Sequence, residues 1–226
     1  MRYPNIHKGV FLARPNRFIA RVLLDGEELT VHVKNTGRCK ELLIPGVTVW
    51  LMKSDNPARK TQYDLVAVEK GERLINMDSQ APNQLFREWA EAGYYKGSLT
   101  LLRPETRWGN SRFDFYWEKG KRKGFTEVKG CTLEANGWTY FPDAPTERGV
   151  KHLEELVKVR EAGLEAAVCF VIQMENVDGF SPNEATHPAF GEALRYAAAN
   201  GVEVLARTCR VTPQELWISE PTPVRL

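Results

Sequence analysis

Through the first third of the chain, apolar and polar residues alternate in short runs separated by turn formers rather than by helical stretches. Phe18 to Leu24 and Glu27 to Val33 flank Asp25-Gly26, a dipeptide that favours a two-residue hairpin turn. Val47 to Met52 follows Pro45-Gly46. Tyr63 to Val68 and Arg73 to Met77 then complete a set of about five strands between Gly9 and Met77. Short antiparallel strands without a clear helix predict a small all-β barrel of the OB type, with an SH3-like barrel as the rival.

The pattern changes at Ser79 to Asn83, where Gln80-Ala81-Pro82-Asn83 interrupts the strands. The break suggests two domains, residues 1–82 and 83–226. Asn83 is placed to cap a helix from Gln84 to about Ala92, with Leu85, Trp89 and Ala92 on one stripe and Gly93 ending it. Strands are expected at Ser98 to Arg107, in a hairpin within Ser111 to Gly130, and at Thr132 to Phe141. Phe141-Pro142-Asp143-Ala144-Pro145-Thr146 leads into an amphipathic helix reaching about Ala162, with Val150, Leu153, Leu156 and Val157 inward. Ala166 to Gln173 is nearly all apolar, as a strand covered on both faces would be. A helix from Pro188 to Asn200 and a strand from Val202 to Ala206 finish an αβββαβαβ order.

The hairpin carries the candidate chemistry. With Gly120-Lys121 as the central turn residues, positions whose numbers sum to 241 face each other, which sets Asp114 opposite Glu127. Alternation gives Lys129 the face of Glu127 and sends Phe113, Phe115, Trp117, Thr126 and Val128 to the other. Two carboxylates on adjacent strands suit Mg²⁺ or Mn²⁺, hard cations that prefer oxygen. A lysine beside them orients a nucleophile or offsets charge on a phosphodiester. The plainer reading is a charged, solvated sheet face, since D-x(n)-E-x-K is a common pattern. The element order argues against it. An acid on the second strand and E-x-K on the third of that order is the plan of the restriction-endonuclease-like, or PD-(D/E)xK, α/β fold. On the helix that follows, Arg148, His152 and Glu155 share a face. Arg148 is placed to meet a phosphate, and His152 to shuttle a proton or pair with Glu155. Gln173, Glu105 and Glu88 are lesser candidates.

Two stretches of the barrel are candidates for nucleic-acid contact. Asn35-Thr36-Gly37-Arg38 follows a strand with a turn former, a flexible residue and a cation. Asn56 to Tyr63 joins Arg59 and Lys60 to Tyr63 at a strand entrance. Asn35, Arg38, Arg59, Lys60 and Tyr63 thus form an expected DNA-binding set that tracks phosphates and stacks bases. Polar loops on a structural module are the bland alternative.

Charge adds little. The net charge is +2, divided into 14 Lys and Arg against 10 Asp and Glu up to Ala90, and 17 against 19 thereafter. Cys39, Cys131, Cys169 and Cys209 are widely spaced without a CxxC pair, which argues against zinc or redox work and for free thiols in a reducing compartment. No apolar run approaches membrane-spanning length, and the first ten residues lack a secretory leader pattern. A cytoplasmic location and no membrane partner are expected.

Over nearly its full length the chain resembles the sugar fermentation stimulation protein family (SfsA). The resemblance is carried by NTGRCKELLIPG at 35–46, NPARKTQYDL at 56–65, SRFDF at 111–115, TEVKGCTL at 126–133 and FPDAPTERGVKHLEEL at 141–156. It implies an OB-like N-terminal domain joined to a nuclease-like C-terminal domain, DNA binding without marked sequence preference, and a regulatory role in bacterial sugar, chiefly maltose, metabolism. Two functions follow as expectations: a Mg- or Mn-dependent nuclease that binds DNA, or a non-catalytic DNA-binding regulator on a nuclease scaffold.

Overall fold

The alternating runs of the first third are strands in a computed structural model that describes residues 1–35 and 37–226. β1 (Ile6–Asn16), β2 (Ile19–Leu24), β3 (Glu27–Val33), β4 (Thr48–Lys53), β5 (Tyr63–Lys70) and β6 (Arg73–Asn76) form one sheet in the order β3-β2-β1-β4-β5-β6. Parallel pairing of His32 with Asp64 and of Val33 with Leu65 joins β3 to β5. The first five strands therefore close into an OB barrel, and β6 lies outside the closure. Leu24 faces Glu27 across Asp25-Gly26, whose φ angles of 52° and 86° are those the tight turn requires. β1 is the strand that the alternation conceals: irregularities between Phe11 and Ala13, and between Ala13 and Asn16, break its period. The set is six strands, not five.

One side chain of β1 fixes the loop after β3. Arg14 donates to the carbonyls of Asn35, Gly37, Arg38 and Arg17 at 2.7–2.9 Å. Thr36, part of the Asn35 to Arg38 stretch, lies outside the described residues.

The second module begins with α1 (Ala81–Glu91), whose N-cap position is held by Gln80 without a side-chain capping bond. Pro82 fits its first turn because proline needs no N–H there and its φ is already helical. The apparent break at 79–83 is thus the start of the helix, and Asn83 is not its cap. Then come β7 (Leu101–Trp108), β8 (Ser111–Lys119), β9 (Arg122–Cys131), β10 (Leu133–Ala135), β11 (Trp138–Phe141), α2 (Glu147–Glu161), β12 (Glu165–Ile172), β13 (Gly179–Pro182), α3 (Pro188–Ala199), β14 (Glu203–Val211) and β15 (Leu216–Pro221). The main sheet runs β15-β14-β12-β9-β8-β7, with β12 parallel to both β9 and β14. The expected strand from Thr132 to Phe141 is instead a tight hairpin about Asn136-Gly137, extended by β13 into a small sheet of its own. Neither β13 nor β15 was expected, and β14 runs on past Ala206.

Both faces of the main sheet are covered. On one, Phe115, Trp117 and Val128 pack with Leu85, Phe86 and Trp89 of α1. On the other, Phe125 packs with Leu153, Leu156 and Val157 of α2. Phe113 departs from the expected alternation: it packs with Phe125 and His152, at ring distances of 5.5 and 6.0 Å, on the α2 side. The departure coincides with Glu105, which has φ 48° on β7 between the residues paired to Phe115 and Phe113. All four cysteines are buried and free. Burial pushes the Cys39, Cys131 and Cys169 thiols up to about 12, and raises Cys209 as well. Among the described residues, no helix is long and apolar enough to cross a membrane.

A buried polar network joins the two modules. Asp78, wholly out of solvent, accepts from Tyr3 Oη (3.1 Å), Lys34 Nζ (2.6 Å) and the Gln80 N–H (2.9 Å). Gln173, at the end of β12, donates to Asn76 Oδ1 (2.8 Å) and the Asp78 carbonyl (3.0 Å). Asn76 returns its main-chain N–H to the Gln173 carbonyl at 2.9 Å. Replacing Asp78 with alanine leaves Lys34 and two further donors without their acceptor. A loss of about 3–4 kcal/mol is expected, toward the lower part of the range for a broken buried pair because Lys34 keeps some water. Urea unfolding should show this as a lowered midpoint, and a midpoint within error of wild type would remove Asp78 as a joint.

Candidate active site and nucleic-acid interface

The β8–β9 hairpin keeps the register its turn dictates, and then opens. Paired residues sum to 241 from Lys119–Arg122 through Phe115–Thr126, and pairing stops one step short of Asp114 and Glu127. There the Asp114 side chain takes over from the ladder, its Oδ2 accepting the Val128 N–H at 2.8 Å. Its Oδ1 accepts from Asn83 Nδ2 on α1, also at 2.8 Å. Strand register thus supplies the acid, and the first turn of α1 orients it. Nothing in the sequence around Asn83 distinguishes this task from helix capping.

Glu127 is only 3% exposed. Its Oε1 accepts from Lys129 Nζ at 2.6 Å and is hydrogen-bonded to His152 Nδ1. The His152 Nε2 receives a long contact, 3.4 Å, from Arg148 Nε. A guanidinium can only donate, so Nε2 is the acceptor and Nδ1 carries the proton toward Glu127. His152, 5% exposed, therefore stands behind Glu127. Its expected pairing with Glu155 does not occur, because Glu155 accepts from Lys158 at 2.7 Å. Glu127 Oε2 is buried and has no hydrogen-bond partner among the described residues.

Asp114, Glu127, Lys129 and Arg148 line one open cavity of about 410 Å³, together with Ser79 and Asn83. Burial, and after it the charge of Glu127, holds Asp114 above the usual carboxylate range against the Val128 N–H, Asn83 and Lys129. Burial acts the same way on Glu127, but His152 and Lys129 outweigh it and hold Glu127 below its ordinary value. The two acids are driven apart in proton affinity, as at sites where neighbouring carboxylates have different tasks.

The lesser acids are elsewhere. Glu88 is bound to the N-terminal ammonium at 2.6 Å, and the exposed Glu105 faces Arg112 at 3.5 Å. Gln173 serves the junction between modules.

The expected DNA-binding residues have mixed placements. Asn35 lines a cavity of about 130 Å³ between the modules with Ser79, Gly130 and Asp143, beside the acid site. Arg38 is exposed, and its main-chain N–H donates to Asp143 at 3.2 Å. Arg59 is not free: its two terminal nitrogens hold Asp64 at 2.6 and 2.9 Å, on a carboxylate shared with His32. A fork already filled by one carboxylate is poorly placed to bind a phosphate. Lys60 is exposed, and Tyr63 is half-buried with its ring edge-on to His7. Sequence reasoning missed Asn83 and Arg14, whose roles arise only from tertiary contact.

Comparison with known proteins agrees with this architecture. The chain matches the model of the sugar fermentation stimulation protein RE domain over residues 80–215 and that of the SfsA N-terminal OB domain over residues 12–77. It is 57% identical over 226 residues to a sugar fermentation stimulation protein homolog of Desulfitobacterium hafniense (strain DSM 10664 / DCB-2), covering 100% of this chain and 99% of that protein. It is 54% identical to the homolog of Ruminiclostridium cellulolyticum over 226 residues, all of both chains. Pyrococcus furiosus SfsA, solved in complex with Ca²⁺, is similar at a TM-score of 0.90 and 26% identity, covering 100% of this chain and 98% of that one.

The Asp114 shift predicts a stability effect with a definite sign. A carboxyl whose folded pKa is raised favours the fold while protonated, and its contribution is lost as pH rises from the ordinary carboxylate range through the raised value. In the metal-free protein, Asp114→Asn should therefore raise the melting temperature at pH 7, by about 2–4 °C for each kcal/mol recovered. The gain should shrink as pH falls and Asp114 itself becomes neutral. Calorimetry in a chelator across that range is the check, and an asparagine variant less stable at every pH would refute it.

Proposed function

The chain belongs to the sugar fermentation stimulation protein family, and from that premise we propose that it binds DNA without marked sequence preference and hydrolyses phosphodiester bonds with a divalent cation, Mg²⁺ or Mn²⁺. The observation that carries this reading is the buried Glu127 Oε2, unpartnered among the described residues and lining one open cavity with a second carboxylate, Asp114, whose pKa is raised. A buried carboxylate oxygen left unpaired is costly unless something external completes it. Two carboxylates whose repulsion a cation would relieve make that external group a hard metal ion. No group of three or more His, Cys, Asp or Glu gathers as a metal nest among the described residues. The chain would thus contribute Asp114 and Glu127 and leave the other positions to water, as Mg²⁺ commonly does. The Ca²⁺ of the similar Pyrococcus furiosus protein, another oxygen-seeking cation, supports a divalent site.

A bound cation supplies Lewis-acid polarisation of the phosphate and a water of lowered pKa. The remaining tasks fall to side chains. Lys129, 2.6 Å from Glu127 Oε1, places a preorganised positive charge where charge grows during attack on phosphorus. His152 donates to Glu127 and fixes its orientation, so it is a positioning residue. Arg148, exposed at the start of α2, is set to hold a phosphate at the cavity edge. Arg38 and Lys60, both exposed on the barrel, are assigned further phosphate contacts.

Digestion of plasmid and oligonucleotide DNA with Mg²⁺ or Mn²⁺, against a chelator control, tests the proposal. Cleavage should depend on the metal, and Lys129→Ala should reduce it about 10²-fold or more while most DNA affinity remains. A wild type that binds DNA but cuts nothing would leave a DNA-binding regulator on a nuclease scaffold. Binding should also weaken with salt, with a log–log slope of about −0.9 per duplex phosphate contact. Lys60→Ala should make that slope shallower by up to about 1. An unchanged slope would remove this lysine from the interface.

A further inference from the structure

Away from the acids, the barrel carries a recess of about 440 Å³ that combines an apolar floor with a cationic rim. Its floor includes Leu43 and Cys39, 8% and 2% exposed. Its rim includes Arg17, Arg38 and Lys40, all exposed, with Arg14 at its wall. Among the described residues these four cations form no ion pair with a carboxylate, whereas Arg21, Arg59, Arg73 and Arg122 each have one. The nearby acid Asp143 accepts the main-chain N–H of Arg38 and leaves its side chain unneutralised.

Beside the recess, Arg17 and Phe18 form the two-residue turn between β1 and β2, where Asn16 pairs with Ile19. Phe18 is 44% exposed, and the Arg17 guanidinium lies 4.7 Å from its ring centroid. Nearly half of this large aromatic side chain is left to solvent on a strand turn, and it belongs to neither apolar core. The Arg14 bonds to four main-chain carbonyls hold the facing loop in place, so the platform and the rim are ordered in advance.

We propose that this recess and turn bind an unpaired stretch of single-stranded DNA. One base would lie against the Leu43 floor, a neighbour would stack on Phe18, and their phosphates would lie on Arg38 and Lys40. The volume is in the range of small-ligand pockets. Apolar and aromatic surfaces within a cationic rim suit exposed base faces joined by phosphates, whereas a duplex keeps those faces stacked inside. The inference rests on the DNA-binding reading above and deepens it. Through Arg38 and Asp143 the recess adjoins the loop that leads into α2, so the strand held there would be directed toward the acids.

Fluorescence anisotropy tests it, using a labelled DNA single strand of about 12 nucleotides, within the site size of an OB fold, and the blunt duplex of the same sequence. A chelator present throughout separates binding from cleavage. The wild type should prefer the single strand. Phe18→Ala should lower that affinity about tenfold, as loss of a stacking partner does, and bring the single-strand preference toward unity. Lys40→Ala should reduce the steepness of the single-strand salt dependence by about 0.7. A 2-aminopurine base in the strand should change its fluorescence on wild-type protein and not on Phe18→Ala, with melting curves confirming that the exposed substitution leaves the fold intact. Equal or tighter binding of the duplex, no effect of Phe18→Ala, or tighter binding of the matching oligoribonucleotide would overturn the proposal and leave DNA binding standing. Failure to bind either DNA form would overturn both.

Discussion

A carboxylate kept out of water needs its charge answered from within the protein, and Glu127 imposes that demand on everything around it. The cost of removing such a charge from solvent is several kcal/mol, so its partners must be held in place rather than merely nearby. His152 supplies an N–H from α2 and Lys129 an ammonium from the same strand. Arg148 fixes the far side of the imidazole. The imidazole is thus held between Glu127 and Arg148, and it adds a polar tie between α2 and the sheet to their apolar contacts. The arrangement answers one oxygen fully and the other not at all. Such incompleteness is tolerable where the missing partner comes from outside.

Asp114 is governed by a different compromise. By accepting the Val128 N–H, its side chain substitutes for a main-chain partner and lets β8 part from β9 without stranding a donor. Asn83 ties the same carboxylate to α1, and the start of α1 is tied through Gln80 to Asp78. A short chain of hydrogen bonds therefore runs from the joint between modules to the acid. The barrel and the sheet meet through polar contacts satisfied within the interface, so their relative placement is specified by directional bonds as well as by apolar burial.

Much of this was legible in the sequence because it rests on local rules. Asp25-Gly26 and Gly120-Lys121 set two hairpin registers, and the second was enough to bring Asp114 toward Glu127. The apolar run ending at Ile172 reads as a covered strand, and the 141–146 loop leads into α2, whose first turn Thr146 caps. What stayed hidden depends on contacts between distant segments. β1 is irregular, so its period is lost. Phe113 changes sides where Glu105 leaves the regular β conformation. Asn83 reads as a cap because its true partner is 31 residues away. Arg59 looked like a free cation because sequence does not reveal that Asp64 fills its fork. His152 was visible as a candidate, but its partner came from the sheet rather than from its own helix.

The four thiols have a practical consequence for studying motion in this protein. Buried and raised far above neutral pH, they carry almost no thiolate under ordinary conditions, and thiolate is the species that alkylating dyes attack. A cysteine introduced at an exposed position, such as Lys121 at the hairpin tip, would therefore react with a fluorophore or spin label while the native four stay silent. Spectroscopic rulers can be mounted on the barrel and on the sheet without first stripping sulfur from the core, where each replacement would disturb the packing that the measurement is meant to observe.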